Sequence, residues 1–187
     1  MTIAVCQGYW APYAGYYRLF AAADMFVFFD DVQFPRRGWV HRYKDAAGRW
    51  VTLPLKKAPR DTMICTMQFP NGQYLADFVY GWMQHYTEKL DLVRPMPRSS
   101  SIYVDPALRG QDHVIAICKH FGATRYVNPS GGRALYDAPT FAKAGIELGF
   151  LKPYEGSYES ILTRLQTERA EAIAAEIRRE TVIEWMS

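Results

Sequence analysis

Two neighbouring carboxylates, Asp30 and Asp31, close the apolar run Met25 to Phe29, and Gln33 follows them. Two adjacent carboxylates at the end of a strand can bind a divalent metal or hold ligand hydroxyls, and either can orient an amine or act as a base. Side chains alternate along a strand, so both can face one ligand only if the strand has ended, and one is expected to be structural. Arg36, Arg37, Trp39 and Arg42 come next. A guanidinium reads phosphate or carboxylate with its planar fork, and an indole can stack on a ring. Asn128-Pro129-Ser130-Gly131-Gly132-Arg133 is a third candidate. Paired glycines let backbone N–H groups approach an anion, although the spacing is neither a Walker loop nor a dinucleotide fingerprint. Cys6 would be a nucleophile only with a base such as His41 or His113 in reach. A buried, inert thiol is the competing reading. His85, His113 and His120 fall on helices without metal-ligand spacing, so no metal is expected, and the sequence names no cofactor.

The elements that must position these groups begin at the first residues. Ile3 to Val5 reads as a short buried strand, broken by Gln7, Gly8, Pro12 and Gly15 among crowded aromatics. A helical run, Leu19 to Ala23, leads to the second strand. That is a βαβ unit, whose ligands bind outside the carboxyl ends of its strands. Gln7, Asp30, Asp31 and Gln33 are therefore expected to share a crevice.

The chain has 187 residues, 49% hydrophobic and 22% charged, enough for one soluble domain with a full core. Aromatics at 15% are plentiful, and some should line a pocket. A net charge of +3 is mild for a nucleic-acid partner, and no apolar stretch reaches membrane-spanning length. Cys6, Cys65 and Cys118 lie far apart without a CxxC pair, which fits a reducing cytoplasm.

Trp39 to Lys44 and Arg49 to Leu55 are expected to form a hairpin, and Met63 to Phe69 a strand. Apolar residues at helical spacing from Gln73 to Leu90 predict a helix with Asn71 as its cap. Asp91 to Ser101 reads as a loop. Asp105-Pro106 is expected to open a helix that Gly122 ends. A strand Arg125 to Val127, a helix Ala138 to Ala144 and a strand Ile146 to Leu151 follow. The fold class is α/β: a single domain with a mixed or mainly parallel Rossmann-like sheet, a β-hairpin insertion and a C-terminal helix. The domain is expected over residues 1–154. A charged helical extension, expected over residues 155–187, would pack on the domain or on another subunit.

Gln7 through Tyr16, Phe26-Val27-Phe28-Phe29-Asp30-Asp31-Val32-Gln33-Phe34, Arg37-Gly38-Trp39 with Arg42, Thr52 to Lys57, and Tyr126-Val127-Asn128-Pro129 with Gly131-Gly132 and Leu135-Tyr136-Asp137 resemble the WbqC-like family. Phe141, Gly145-Ile146 and Leu148 extend the likeness to about residue 151. The resemblance implies a place in bacterial gene clusters for O-antigen and other surface glycans, or for natural products. Carried over residue by residue, it implies roles for Gln7, Tyr16, Asp30, Asp31, Gln33, Arg37, Arg42, Asn128, Gly131 and Gly132. Cys6 and Gly8 depart from the family pattern, which has histidine or methionine and then proline there. The charged helix Leu162 to Glu180 also departs from it, standing where the family has a hydrophobic segment.

The leading expectation is a cytoplasmic transferase that passes an acyl or aminoacyl group to an activated small molecule, such as an amino sugar nucleotide. Arg37, Arg42, Arg133 and the glycine pair would hold its anionic part, Trp39 its ring, Gln7, Tyr16 and Gln33 its polar groups, and Asp30 or Asp31 its amine. The partners expected are a small anionic substrate, either a sugar nucleotide or a carrier-bound acyl group, and a second copy of the chain. No nucleic acid or membrane partner is expected. Two alternatives stand beside this: a nucleotidyltransferase-like enzyme, and a non-catalytic binding or assembly protein that docks through the C-terminal helix.

Overall fold

A computed structural model describes residues 1–186. Strands β1 (Thr2–Cys6), β2 (Met25–Phe28), β5 (Arg125–Asn128) and β6 (Glu147–Leu151) form a parallel sheet, which β7 (Ile183–Trp185) extends antiparallel, in the order β2-β1-β5-β6-β7. A separate antiparallel hairpin joins β3 (Arg42–Lys44) to β4 (Trp50–Thr52). The α/β class, the mainly parallel sheet and the hairpin agree with the reading of the sequence.

Strand alternation divides the core into two layers. Ala4, Phe26, Phe28 and Val127 face one side of the sheet, with helices α1 (Arg18–Ala22), α2 (Leu75–Lys89), α5 (Ile161–Thr167) and α6 (Ala170–Arg179). Ile3, Val5, Val27, Tyr126 and Leu148 face the other, against α3 (Gly110–His120) and α4 (Ala138–Lys143). Both faces of the central strands are covered, which is why they read as unbroken apolar runs. The open edge of β2 is occupied by the loop from Asp91: Phe26 and Phe28 N–H donate to the Pro95 and Pro97 carbonyls. That loop ends in a 3₁₀ turn, Ser99–Ser101.

Several local expectations are corrected. Residues Ile64–Thr66 form a 3₁₀ turn rather than part of a strand, and Met63 makes only an isolated bridge to Gln33. Asn71 does not cap α2. Its side chain accepts from Gln73 N–H in the preceding turn, and Tyr74 holds the cap position. Asp105 likewise closes a turn onto Ala107 N–H, and the helix waits until Gly110. The stretch from Ser157 to Trp185 is not one helix. It is α5, α6 and β7, because Val182-Ile183 with Trp185 fits a pleated edge better than a helix face. Ile161, Ile173 and Ile177 from this stretch are buried in the same core as α1 and α2.

Candidate functional site

The chain passes from β1 to β2 on one side, then crosses back to β5 and β6 on the other. The order therefore reverses between β1 and β5, and ligands of open α/β sheets bind in the crevice that opens there. A cavity of about 580 Å³ occupies that position. Cys6 at the end of β1 and Pro129, Ser130 and Gly131 after β5 form its floor. Tyr9, Tyr13, Tyr16, Tyr154 and Tyr158 line its sides, and Trp39, Tyr43 and Lys44 of the hairpin segment complete the wall.

Among its polar side chains is Arg18, which is only 3% exposed. Its Nε donates to Gly15 O at 3.2 Å, and its Nη1 donates to Lys152 O at 3.0 Å and Glu180 O at 2.8 Å. Its guanidinium carbon lies 5.1 Å from the centre of the Tyr154 ring. Burial pulls its pKa below the usual arginine value, with Tyr13 and Tyr154 opposing. Among the described residues no carboxylate lies within salt-bridge distance of Arg18, so three carbonyls and the Tyr154 ring, with the more distant charge of Glu180, hold a buried cation in the cavity wall.

Tyr154 is fixed from behind. Its hydroxyl donates to Glu176, which with Glu168 clamps Arg164 through contacts of 2.6–2.9 Å. Tyr13 and Tyr158 stack with centroids 4.8 Å apart. Cys6 keeps some exposed surface, but its thiol sits beneath the tyrosines, and burial pushes it up to about 12. Burial thus opposes formation of the thiolate.

A second cavity, about 710 Å³, opens beyond the end of β2. Asp31, Gln33, Arg109, Gln111, His113 and Tyr136 give it polar walls. Asp31 Oδ2 lies 3.2 Å from His113 Nε2, and Asp31 Oδ1 accepts from the Ser99 hydroxyl at 2.5 Å. Asp30, by contrast, is fully enclosed. It accepts from Ser100 N–H at 3.0 Å and the Ser100 hydroxyl at 2.9 Å. Burial pushes its carboxyl above the usual range, and the Ser100 hydrogen bonds and Arg98 oppose this.

The fold thus distributes the residues singled out from the sequence. Cys6, Tyr16, Trp39 and Gly131 meet at the β1–β5 cavity, while Asp31 and Gln33 line the other. Gln7 offers its main-chain carbonyl to the Tyr16 hydroxyl at 2.6 Å. Asn128 is buried, with Nδ2 donating to the Tyr126 hydroxyl at 2.5 Å, and Gly132 packs on its amide so closely that a Cβ would meet Oδ1 at 2.6 Å. Arg42 donates to the Gly38 and Arg37 carbonyls and stacks 4.1 Å over Trp50, and Arg37 lies exposed beside it. Arg133 pairs with Glu184 and stacks on Phe150. Arg18, Tyr154, Tyr158 and Ser160 were not singled out, since no local motif marks residues that join one wall from opposite ends of the chain. Among the described residues no cluster of three or more His, Cys, Asp or Glu is set to hold a metal ion. No helix among them is long and apolar enough to cross a membrane.

An open α/β sheet with an aromatic, arginine-bearing cleft at its switch point defines a protein of the doubly wound α/β type. The profile of the WbqC-like protein family matches residues 7–74 and 68–164, and the chain belongs to that family. It is 28% identical over 137 residues to the uncharacterized protein Rv1507c of Mycobacterium tuberculosis. That match covers 67% of this chain and 59% of the relative, so the chain spans about three fifths of its relative's length. No solved structure matches the chain.

Proposed function

We propose that the chain is a group-transfer enzyme of bacterial glycan or natural-product assembly. It seats an anionic, ring-bearing small molecule in the β1–β5 cavity, an amino sugar nucleotide being the type, and passes an acyl or aminoacyl group to its amine. Arg18 carries this reading. A buried guanidinium without a carboxylate partner is costly unless an anion completes it. The surrounding tyrosines supply faces for a sugar or base and hydroxyls to orient it. The cavity volume suits one small molecule. With burial opposing a Cys6 thiolate, the amine attacks the acyl carbon directly. Asp31, 3.2 Å from His113, lines the other cavity, and Asp30 is enclosed beside it, so the proton that the amine loses leaves with the departing group rather than passing to either carboxylate.

A nucleotide alone is the second reading, favoured by the position of the cavity at the switch point. The test is calorimetry and thermal melting with uridine- and thymidine-diphosphate amino sugars, beside ATP and CTP. The sugar nucleotide should bind tightest, and folded Arg18→Gln should weaken it about tenfold or more, as expected for losing a charge-assisted contact. Equal binding to Arg18→Gln would remove the reading, and tighter binding of ATP or CTP would favour the second.

A further inference from the structure

Charge is unevenly placed in this chain. Residues 36–60 hold eight lysines and arginines against the single acid Asp45, a formal +7, whereas the whole chain carries +3. The remainder is therefore net acidic, and the basic character belongs to the segment around β3 and β4. Arg37, Lys44, Arg49, Lys57 and Arg60 are all exposed there. Arg36 reaches across to the Ala58 and Pro59 carbonyls at 2.5 and 2.9 Å, which draws the two loops into one lobe. On the same lobe Trp39 and Trp50 are each 44% exposed, with ring centroids 4.8 Å apart. Arginine and tryptophan are the residues that most often anchor protein interfaces.

This lobe also walls the β1–β5 cavity, through Trp39, Tyr43 and Lys44. A cavity of about 580 Å³ is filled by one small molecule. The second substrate of a transfer must then present only its reactive end, with the rest of its mass outside. We infer that the basic, tryptophan-bearing lobe at residues 36–60 is the docking surface for an acidic carrier protein, whose tethered thioester enters the cavity beside Trp39. This rests on the transferase reading above. The step balances: the acceptor amine nitrogen bonds to the thioester carbonyl carbon, the carbon–sulfur bond breaks, and the departing sulfur leaves as a thiol with the proton the amine loses. Complementary charge would steer the encounter and make it salt-sensitive.

The experiment is titration of the full-length chain with a phosphopantetheine-bearing acyl carrier protein, a small acidic protein, at about 0.05 M and 0.3 M salt. Micromolar binding should weaken at least tenfold at the higher salt, and again at least tenfold in Lys57→Glu/Arg60→Glu. Trp50→Ala should weaken it several-fold. All three substitutions lie at exposed positions, and melting curves check that the variants fold. The double variant should still be stabilised by the amino sugar nucleotide, which reports on the cavity alone. No carrier binding, or binding indifferent to charge reversal, overturns the inference even when the sugar nucleotide still binds. Tighter binding to phosphatidylglycerol–phosphatidylcholine vesicles or to transfer RNA overturns it in favour of another occupant. Carrier binding without sugar-nucleotide binding sustains the docking surface and instead refutes the cavity reading.

Discussion

The wall of the β1–β5 cavity depends on an ion cluster behind it, and Glu176→Gln tests that dependence. Arg164 is nearly enclosed, and Glu176 meets its Nη1 and Nη2 at 2.9 and 2.7 Å while accepting from Tyr154. In the glutamine variant one of the two guanidinium contacts faces an amide N–H₂, donor against donor, and the charge at the site is gone. Breaking a buried ion pair costs about 3–5 kcal/mol. Glu168 remains to share the charge, so a loss near the lower end, about 3 kcal/mol, is expected. At roughly 2–4 °C per kcal/mol for a chain this size, the melting temperature should fall by about 6–12 °C. The parent should also show a matching acid dependence. Arg164 holds the Glu176 and Glu168 carboxyls below their ordinary value of 4.5. Depressed carboxyls stabilise fully above that value and lose the contribution as pH falls through their folded pKa. Urea unfolding at pH 7 and at stepped pH below 4.5 measures both. A variant melting within about 2 °C of the parent at pH 7 would refute the claim that this cluster fixes Tyr154.

Other outcomes follow from the site. Asp30→Ala should cost about 2–4 kcal/mol by orphaning the Ser100 donors, and Asp30→Asn less than about 1, by chemical denaturation at neutral pH. Because burial raises the Asp30 pKa, its contribution is greatest below the ordinary value of 3.8 and declines as pH rises through the folded value, a limb that Asp30→Asn should flatten. Cys6 should resist iodoacetamide in the folded protein at pH 8, and Cys6→Ser should bind the sugar nucleotide like the parent; rapid labelling would show a thiolate. Gly132→Ala must displace Asn128 and should cost about 1–3 kcal/mol in urea, with unchanged stability refuting the contact.

The legible parts of this fold were those whose pattern is local. The buried strands β1, β2, β5 and β6 show as apolar runs, and α2 shows its face through Leu75, Val79, Met83 and Tyr86 at helical spacing. The run at Met63 misled because its alternation satisfies a 3₁₀ turn as well as a strand, and only tertiary pairing decides. The tail misled because an amphipathic stretch hides its break: Ser160 caps α5 by accepting from Thr163 N–H, and Glu168-Arg169 separates it from α6. At the cavity, Cys6, Tyr16, Trp39 and Gly131 could be anticipated because they follow or flank strand ends. Arg18 could not. It sits in an ordinary short helix, and its meaning comes from the Lys152 and Glu180 carbonyls, more than 130 residues away in sequence.

That closure between distant segments bears on how the protein comes into being on the ribosome. Residues 1–28 supply two strands at once, but β1 gains its second neighbour only when β5 has been made. Arg18 gains its last acceptor only at Glu180. Until then a cation meant for the interior lacks part of its shell, and before residues 154–158 are made the wall lacks Tyr154 and Tyr158. Contacts of such long sequence separation must wait for nearly the whole chain and slow the final step of folding. The β1–β5 cavity is therefore among the last features to mature, and a nascent chain held short of residue 180 should lack the closed wall around Arg18.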